Sequence, residues 1–277
     1  MSTGPDPSPN PAQAARAGRA RRQPPTFRRL EVSRTVEVSP RLVRVTLTGS
    51  ELAGFEVPAP AASVRLLLPS VGADLVVPTW NGNEFLLPDG RRPVIRTFTP
   101  RRLDLDLDRL ELDLDLVVHG QGPASDWAGA TRPGDAVAVS GPGRGYVLDP
   151  AVHDYVLAGD ETAIPAVSQL LEVLGASVSV RVHLEVADPV AELDLPHHPG
   201  ATVTWWPNAS GAAPGDALRR AVAATELSPD TRIWVAGEAA AVHRIRRDLF
   251  EERGVPRSRA TVRGYWKLGR GGDPDDT

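Results

Sequence analysis

Two stretches of this chain hold residue types that can bind a cofactor together: Arg96-Thr97-Phe98-Thr99 and, beyond an intervening hairpin, His119-Gly120-Gln121-Gly122-Pro123-Ala124-Ser125-Asp126-Trp127-Ala128. The first sets a guanidinium beside an aromatic ring and two hydroxyls at what reads as a strand end. The second is a glycine turn running into a short helix. Arg96 can grip a pyrophosphate bidentately. Pro123 suits a first helical turn, which leaves the N–H groups near Ala124 and Ser125 to receive an anion. Phe98 and Thr99 would then lie along a ring system and a ribityl chain, so the two stretches together suit a flavin dinucleotide. Each alone is a plain strand end or turn, and it is their pairing across one hairpin that favours the dinucleotide.

Other chemistries are narrowed by composition. The chain has no cysteine, which excludes disulfides, thiolate catalysis and a cysteine-ligated iron–sulfur cluster. Electron chemistry here needs an organic cofactor. The six histidines show no metal-ligand spacing, and His197-His198 sits in a proline-flanked loop, so no metal site is expected. A net charge of -4 gives no electrostatic case for nucleic acid. No apolar run approaches the roughly 18 residues of a membrane span, and the chain reads as a soluble cytoplasmic protein without a membrane partner. Of 31 basic residues only Lys267 is a lysine.

The elements that must position these residues fall into two kinds. Residues 1–25, rich in Pro, Ala, Ser and Arg, read as a disordered tail, and 270–277 as a flexible one. From Phe27 to Leu148 the signals are those of strands: Arg41–Leu47, Ser63–Leu68, Val94–Thr99 and Ala136–Ser140, with one short helix after Gly122. In Leu103–Val118 the leucine parity changes across Asp108-Arg109. A two-residue turn there would pair 107 with 110 and 105 with 112, with aspartates 104, 106, 113 and 115 pointing to solvent. Many short strands with turns between them predict a closed antiparallel barrel over 26–150.

From His153 onward strands and helices alternate. Strands are expected at Asp154–Ala158, Val178–Val186, Thr202–Trp206, Arg232–Ala236 and Ala260–Gly264, and helices at Ile164–Leu174, Asp216–Thr225 and Ala239–Arg253. This is the pattern of a parallel α/β unit, here 151–269, whose ligands bind at the carboxyl ends of its strands. Those ends carry Gly159-Asp160-Glu161-Thr162-Ala163 and Gly237-Glu238. Gly-X-Gly-X-X-Gly is absent, which argues against a conventional Rossmann dehydrogenase.

A flavin-type barrel followed by an α/β half resembles the ferredoxin-reductase-like superfamily, and the details resemble its siderophore-interacting branch, FAD-dependent ferric-siderophore reductases. The residues that carry this are Arg96–Arg101, His119–Ala128, Gly159-Asp160-Glu161-Thr162-Ala163-Ile164-Pro165-Ala166, Ala236-Gly237-Glu238 and Gly264-Tyr265-Trp266-Lys267-Leu268-Gly269. They occur in the family's order and span about 27–269. The resemblance implies a β-barrel FAD-binding domain and an α/β nicotinamide-binding domain. It implies FAD held by Arg96, Thr97, Phe98, Thr99, His119, Gly120 and the helix start Gly122–Ser125, with Ala124 in that turn and Trp127 supporting the helix. The family more often has tyrosine at Phe98, so stacking is expected there without the hydroxyl contact. The resemblance also implies nicotinamide access at Thr162, Gly237 and Glu238. Lys267 occupies the position of a basic residue that helps place the ferric ligand in the branch without a cluster, and Arg65, Arg101 and Arg263 are further basic candidates.

The expected reaction passes electrons from NAD(P)H to a ferric siderophore and frees Fe(II), with no side chain acting as nucleophile. Glu161 and Glu238 are each expected to cap the helix that follows, where the dipole favours a carboxylate. Glu185 and Asp188 favour NADH, whereas Arg244, Arg246 and Arg247 favour NADPH, so the donor is open. Two alternatives remain: a flavin reductase whose acceptor is an electron-transfer protein, and a non-catalytic module that captures a ferric chelate. The intact flavin stretches weigh against the second.

Overall fold

The computed structural model describes residues 26–69, 73–106, 109–120 and 122–269, so the tails expected at 1–25 and 270–277 lie outside the described residues. The first half is one seven-stranded antiparallel sheet made of β1 (Phe27–Ser39), β2 (Leu42–Thr48), β3 (Val64–Leu68), β6 (Val94–Phe98), β7 (Pro100–Asp106), β8 (Arg109–Val117) and β9 (Ala136–Ser140). Two short strands, β4 (Thr79–Trp80) and β5 (Phe85–Leu86), pair separately. The strand order is β6-β3-β9-β1-β2-β8-β7. Its two edge strands follow one another in the chain, joined through Thr99. The expected barrel is therefore closed covalently, with no hydrogen-bonded β6–β7 pair in the sheet order among the described residues. Leu30, Val45, Leu47, Leu66, Leu112, Leu114, Leu116 and Val139 fill its interior.

The β7–β8 hairpin departs from the sequence reading in two ways. Its register pairs Leu105 with Leu110, where 105 with 112 was expected, and Leu103 with Leu112, and the expected pairing of 107 with 110 falls on a residue outside the described ones. Both registers keep the leucines on one face, because the pairing parity is unchanged. Asp113 and Asp115, expected in solvent, are buried at 8% and 7% exposure. The register sets Arg44 opposite Asp115 and Thr46 opposite Asp113. Arg44 then donates to both carboxylate oxygens of Asp115 at 2.6 and 2.8 Å, and the Thr46 hydroxyl donates to Asp113 at 2.6 Å. Alternation fixes which face a side chain takes, whereas a neighbouring strand decides whether that face meets water.

The second half is a five-stranded parallel sheet of β10 (Asp154–Asp160), β11 (Ser179–Val186), β12 (Ala201–Pro207), β13 (Arg232–Glu238) and β14 (Ala260–Trp266), ordered β12-β11-β10-β13-β14. Helices α2 (Ile164–Val173), α3 (Asp216–Ala224) and α4 (Ala239–Arg247) cover it, and α1 (Pro123–Ala130) belongs to the first sheet. Strands buried on both faces explain the near-continuous apolar runs such as Tyr155–Ala158 and Ile233–Ala236. From β10 the chain winds one way to β11 and β12, then returns beside β10 and winds the other way to β14. Such a reversal opens a crevice at the carboxyl ends of β10 and β13. No helix among the described residues is long and apolar enough to cross a membrane.

Candidate functional site

The crevice at the reversal point is organised by a residue that sequence reasoning did not single out, Asp160, the last residue of β10. Its Oδ1 accepts the Thr162 N–H at 2.9 Å and the Thr162 hydroxyl at 2.5 Å. Its Oδ2 accepts the Glu238 N–H at 2.9 Å and the Trp266 indole N–H at 2.7 Å. One carboxylate thus ties the ends of β10, β13 and β14. Gly237 makes room for it, since a Cβ there would stand 2.7 Å from Oδ2. Burial pushes the Asp160 carboxyl up to about 6, against the opposing pull of its four donors. No spacing in the sequence could have revealed this hub, because its partners come from three distant segments.

The junction of β6 and β7 is brought against this crevice by polar ties between the two sheets. Gln169, on α2, donates to the Pro100 carbonyl at 2.6 Å and accepts the Ala61 N–H at 2.8 Å. Arg101 pairs with Glu172 at 2.6 Å. The Thr99 hydroxyl donates to the Tyr265 hydroxyl oxygen at 3.5 Å, so the end of β6 meets the end of β14. Burial pushes the Tyr265 phenol up. Arg263 donates to the carbonyls of Arg144 and Gly145, each at 3.2 Å. Arg101 and Arg263 are thereby committed to holding the halves together, whereas Arg65 is exposed directly opposite Thr97 across β3 and β6.

On β6, Arg96 and Phe98 share one face and Thr97 takes the other. Arg96 and Phe98 are half-buried, Thr97 is exposed and Thr99 is buried. At the other stretch, α1 starts at Pro123 after Gly122, which has φ +90°, and no side chain caps it among the described residues. His119, Gly120 and Gly122 are exposed, Ala124 is half-buried, and Trp127 is buried in the interior of the first sheet. A Cβ on Gly120 or Gly122 would meet nothing within 4 Å. The Ser125 hydroxyl accepts the N–H groups of His119 at 3.0 Å and Gly120 at 3.1 Å, so it closes the glycine turn and leaves the helix-start backbone facing outward. Lys267 is exposed one residue past β14.

The acidic residues at the crevice divide. Glu238 caps α4 as expected, accepting the Ala241 N–H at 2.8 Å, and its other oxygen accepts the Leu268 N–H at 3.3 Å. Glu161 does not cap its helix. Its carboxylate receives Arg41 Nε at 2.9 Å on both oxygens and the Ala187 N–H at 2.8 Å, tying the β1–β2 turn to the ends of β10 and β11. Four of the five donor cues, all but Arg247, have partners within the fold. Glu185 is buried and takes the N–H groups of Gly215 and Leu218 at the start of α3, and Asp188 caps a short turn at Val190. Arg244 pairs with Asp216, and Arg246 donates to the Val262 carbonyl.

Comparison with known proteins bears on both halves. Residues 31–146 match the siderophore-interacting FAD-binding domain, and 152–269 match the siderophore-interacting protein model. The chain belongs to the siderophore-interacting protein family. A siderophore utilization protein from T. fusca is 39% identical in sequence, with a TM-score of 0.78 over 90% of this chain and 95% of that one. The ferric vibriobactin reductase ViuB of Vibrio cholerae is 30% identical over 248 residues, 88% of this chain and 90% of that protein. The NADPH-dependent ferric-chelate reductase of Escherichia coli is 31% identical over 244 residues, 87% of this chain and 92% of that protein. The architecture is ferredoxin-reductase-like.

The FAD-binding domain of the family has fitting donors here. A dinucleotide needs a cationic grip, an uncapped helix start for its phosphates and a groove free of side chains between them. Arg96, the bare start of α1 and the open space beside Gly120 and Gly122 supply these.

Proposed function

We propose that this chain is a FAD-dependent oxidoreductase that passes electrons from NAD(P)H to ferric siderophores and releases Fe(II), with 26–150 as the FAD-binding domain and 151–269 as the nicotinamide-binding domain. The observation that carries the reading is the meeting of the β6 end with the β14 end: Thr99, beside Phe98, touches Tyr265, two residues before Lys267. Arg96 and the N–H groups of Ala124 and Ser125 would hold the pyrophosphate, with Phe98 and Thr99 along the ring and ribityl chain and His119 at the turn. Thr162, Gly237 and Glu238 border the crevice for the nicotinamide. FAD, when bound, supplies the exchange between a two-electron donor and a one-electron acceptor.

The protein's own part is orientation and charge. Exposed Lys267 offers a cation to an anionic ferric chelate at the crevice rim. One NAD(P)H gives up a hydride's two electrons, two Fe(III) become two Fe(II), and one proton is released. Fe(II) binds hard anionic oxygen ligands less strongly than Fe(III), so the metal leaves an intact chelator. NAD(P)H is a cytoplasmic reductant, and we place the reaction there.

The test is anaerobic incubation of the FAD-loaded protein with NADH or NADPH, a ferric hydroxamate and a chromogenic Fe(II) trap. Trapped Fe(II) at two per NAD(P)H oxidised is the expected result. Oxidation of the nucleotide without trapped Fe(II) across a panel of ferric chelates would redirect the reading to a protein acceptor. Failure to retain FAD would overturn it.

A further inference from the structure

Lys267 stands between two anchors. On one side the Trp266 indole donates to Asp160 Oδ2 at 2.7 Å, and on the other the Leu268 N–H donates to Glu238 Oε1 at 3.3 Å. Both carboxylates belong to the last residues of the strands at the reversal point, β10 and β13, and the Glu238 N–H itself donates to Asp160 at 2.9 Å. Every group around the Asp160 carboxylate is a donor. A neutral amide at 160 would turn its NH2 either on Thr162 or on the Trp266–Glu238 pair, so only a carboxylate satisfies all four donors at once. Trp266 closes β14 opposite Glu238 of β13 and Lys267 still forms a β-bridge, so the two side-chain contacts add to backbone pairing and tie the Trp266–Leu268 segment to the last residues of β10 and β13.

We propose that Asp160 is the positioning residue for Lys267: through the Trp266 indole it fixes the segment after β14 on the strand ends beside Thr162 and Glu238, so the chelate-facing cation and the nicotinamide-facing residues keep one geometry. The proposal rests on the reading of Lys267 as the cation that meets the ferric chelate. Asp160 touches neither substrate nor cofactor in this role and acts through Trp266.

The experiment uses the full chain loaded with FAD and the trianionic iron(III) tris-catecholate complex as the probe, with affinity measured by equilibrium dialysis. Trp266→Phe keeps an aromatic ring, removes the donor and makes the side chain smaller. Its affinity is expected to fall roughly tenfold, the scale of one hydrogen bond to a charged group. Lys267→Ala is expected to weaken binding as well, and the double variant to be no weaker than Lys267→Ala alone, because a displaced lysine and an absent one are equivalent. In the 15N spectrum one of the six indole resonances disappears in Trp266→Phe and shifts upfield in Asp160→Asn, reporting the contact independently of activity. Wild-type affinity in Trp266→Phe, or losses that add in the double variant, would overturn the positioning role and leave Lys267 in place. Unchanged affinity in Lys267→Ala would remove Lys267 from the chelate site and the proposal with it. If Asp160→Asn fails to fold, Trp266→Phe carries the test.

Discussion

Removing Arg41 should loosen the contact between the two sheets more than any surface substitution. Its guanidinium meets Glu161, whose side chain is 9% exposed against 27% for Arg41. Arg41→Ala leaves that carboxylate buried with the Ala187 N–H as its remaining partner. Stranding one member of a fully buried pair costs about 3–5 kcal/mol, and water admitted through the exposed quarter of Arg41 lowers this to about 2–3 kcal/mol. For a chain of this size each kcal/mol moves the midpoint by about 2–4 °C, so thermal unfolding should occur about 4–12 °C lower. Glu161→Gln should cost a similar amount, because its amide sets a donor against either Arg41 or Ala187. Arg41→Met with Glu161→Met should recover much of the loss, since the charge and its partner leave together. Calorimetry of the FAD-free proteins at low and high salt measures all three, and burial predicts that the difference survives salt. A midpoint within about 1 °C of wild type for Arg41→Ala, or a difference abolished by salt, would refute the assignment of this pair as a buried tie.

Arg96→Ala is expected to lose FAD during purification, read from the visible spectrum, and full flavin occupancy would contradict its pyrophosphate role. Gly159→Ala should destabilise the fold by a few kcal/mol in urea unfolding, since its Cβ would stand 2.3 Å from that of Ala163 and 2.9 Å from the Ala236 carbonyl. The Asp160 carboxyl lies at about 6 in the fold against an ordinary value of 3.8. A raised carboxyl favours the folded state when protonated, so its contribution is fully present below pH ~4 and lost as the pH rises through ~6. Wild type should therefore lose up to about 3 kcal/mol of stability relative to Asp160→Asn between those limits, and parallel pH profiles for the two proteins would refute the shift.

The architecture was legible wherever one short stretch carried its own pattern. Strand Ala136–Ser140 falls where alternation and the Pro133-Gly134 turn place it, and α2 begins at Ile164 beside Pro165. The long first strand escapes delimitation by pattern, because Phe27–Ser39 mixes buried Leu30 and Val32 with an exposed run, Arg34–Glu37. Asp115 departs from its expected place in solvent because its partner Arg44 lies 71 residues away, and no local signal distinguishes an aspartate facing water from one facing a guanidinium. Glu161 departs from the expected helix cap for the same reason, its partner being Arg41, 120 residues away in the chain. The binding stretches could be read because backbone turns and residue types carry their chemistry locally, whereas Asp160 exists as a hub only after three strand ends converge.

The nature of the contact between the sheets follows from what the proposed chemistry requires. Electrons must pass between nucleotides held by different halves, so small sliding or opening at the interface changes the separation directly. An apolar interface resists separation but permits sliding, since the hydrophobic effect is non-directional. Here the ties are directional: Arg41 on Glu161, Arg101 on Glu172, Gln169 on the Pro100 carbonyl and Ala61 N–H, and Arg263 on the Arg144 and Gly145 carbonyls. Each fixes an angle as well as a distance. They come from Gln169 and Glu172 on α2, from Glu161 just before it and from Arg263 on β14, so a rotation that preserves one breaks another. A sheet pair fastened in this way can keep Thr99 against Tyr265 without a lid or a hinge, so the ends of β6 and β14 hold one separation.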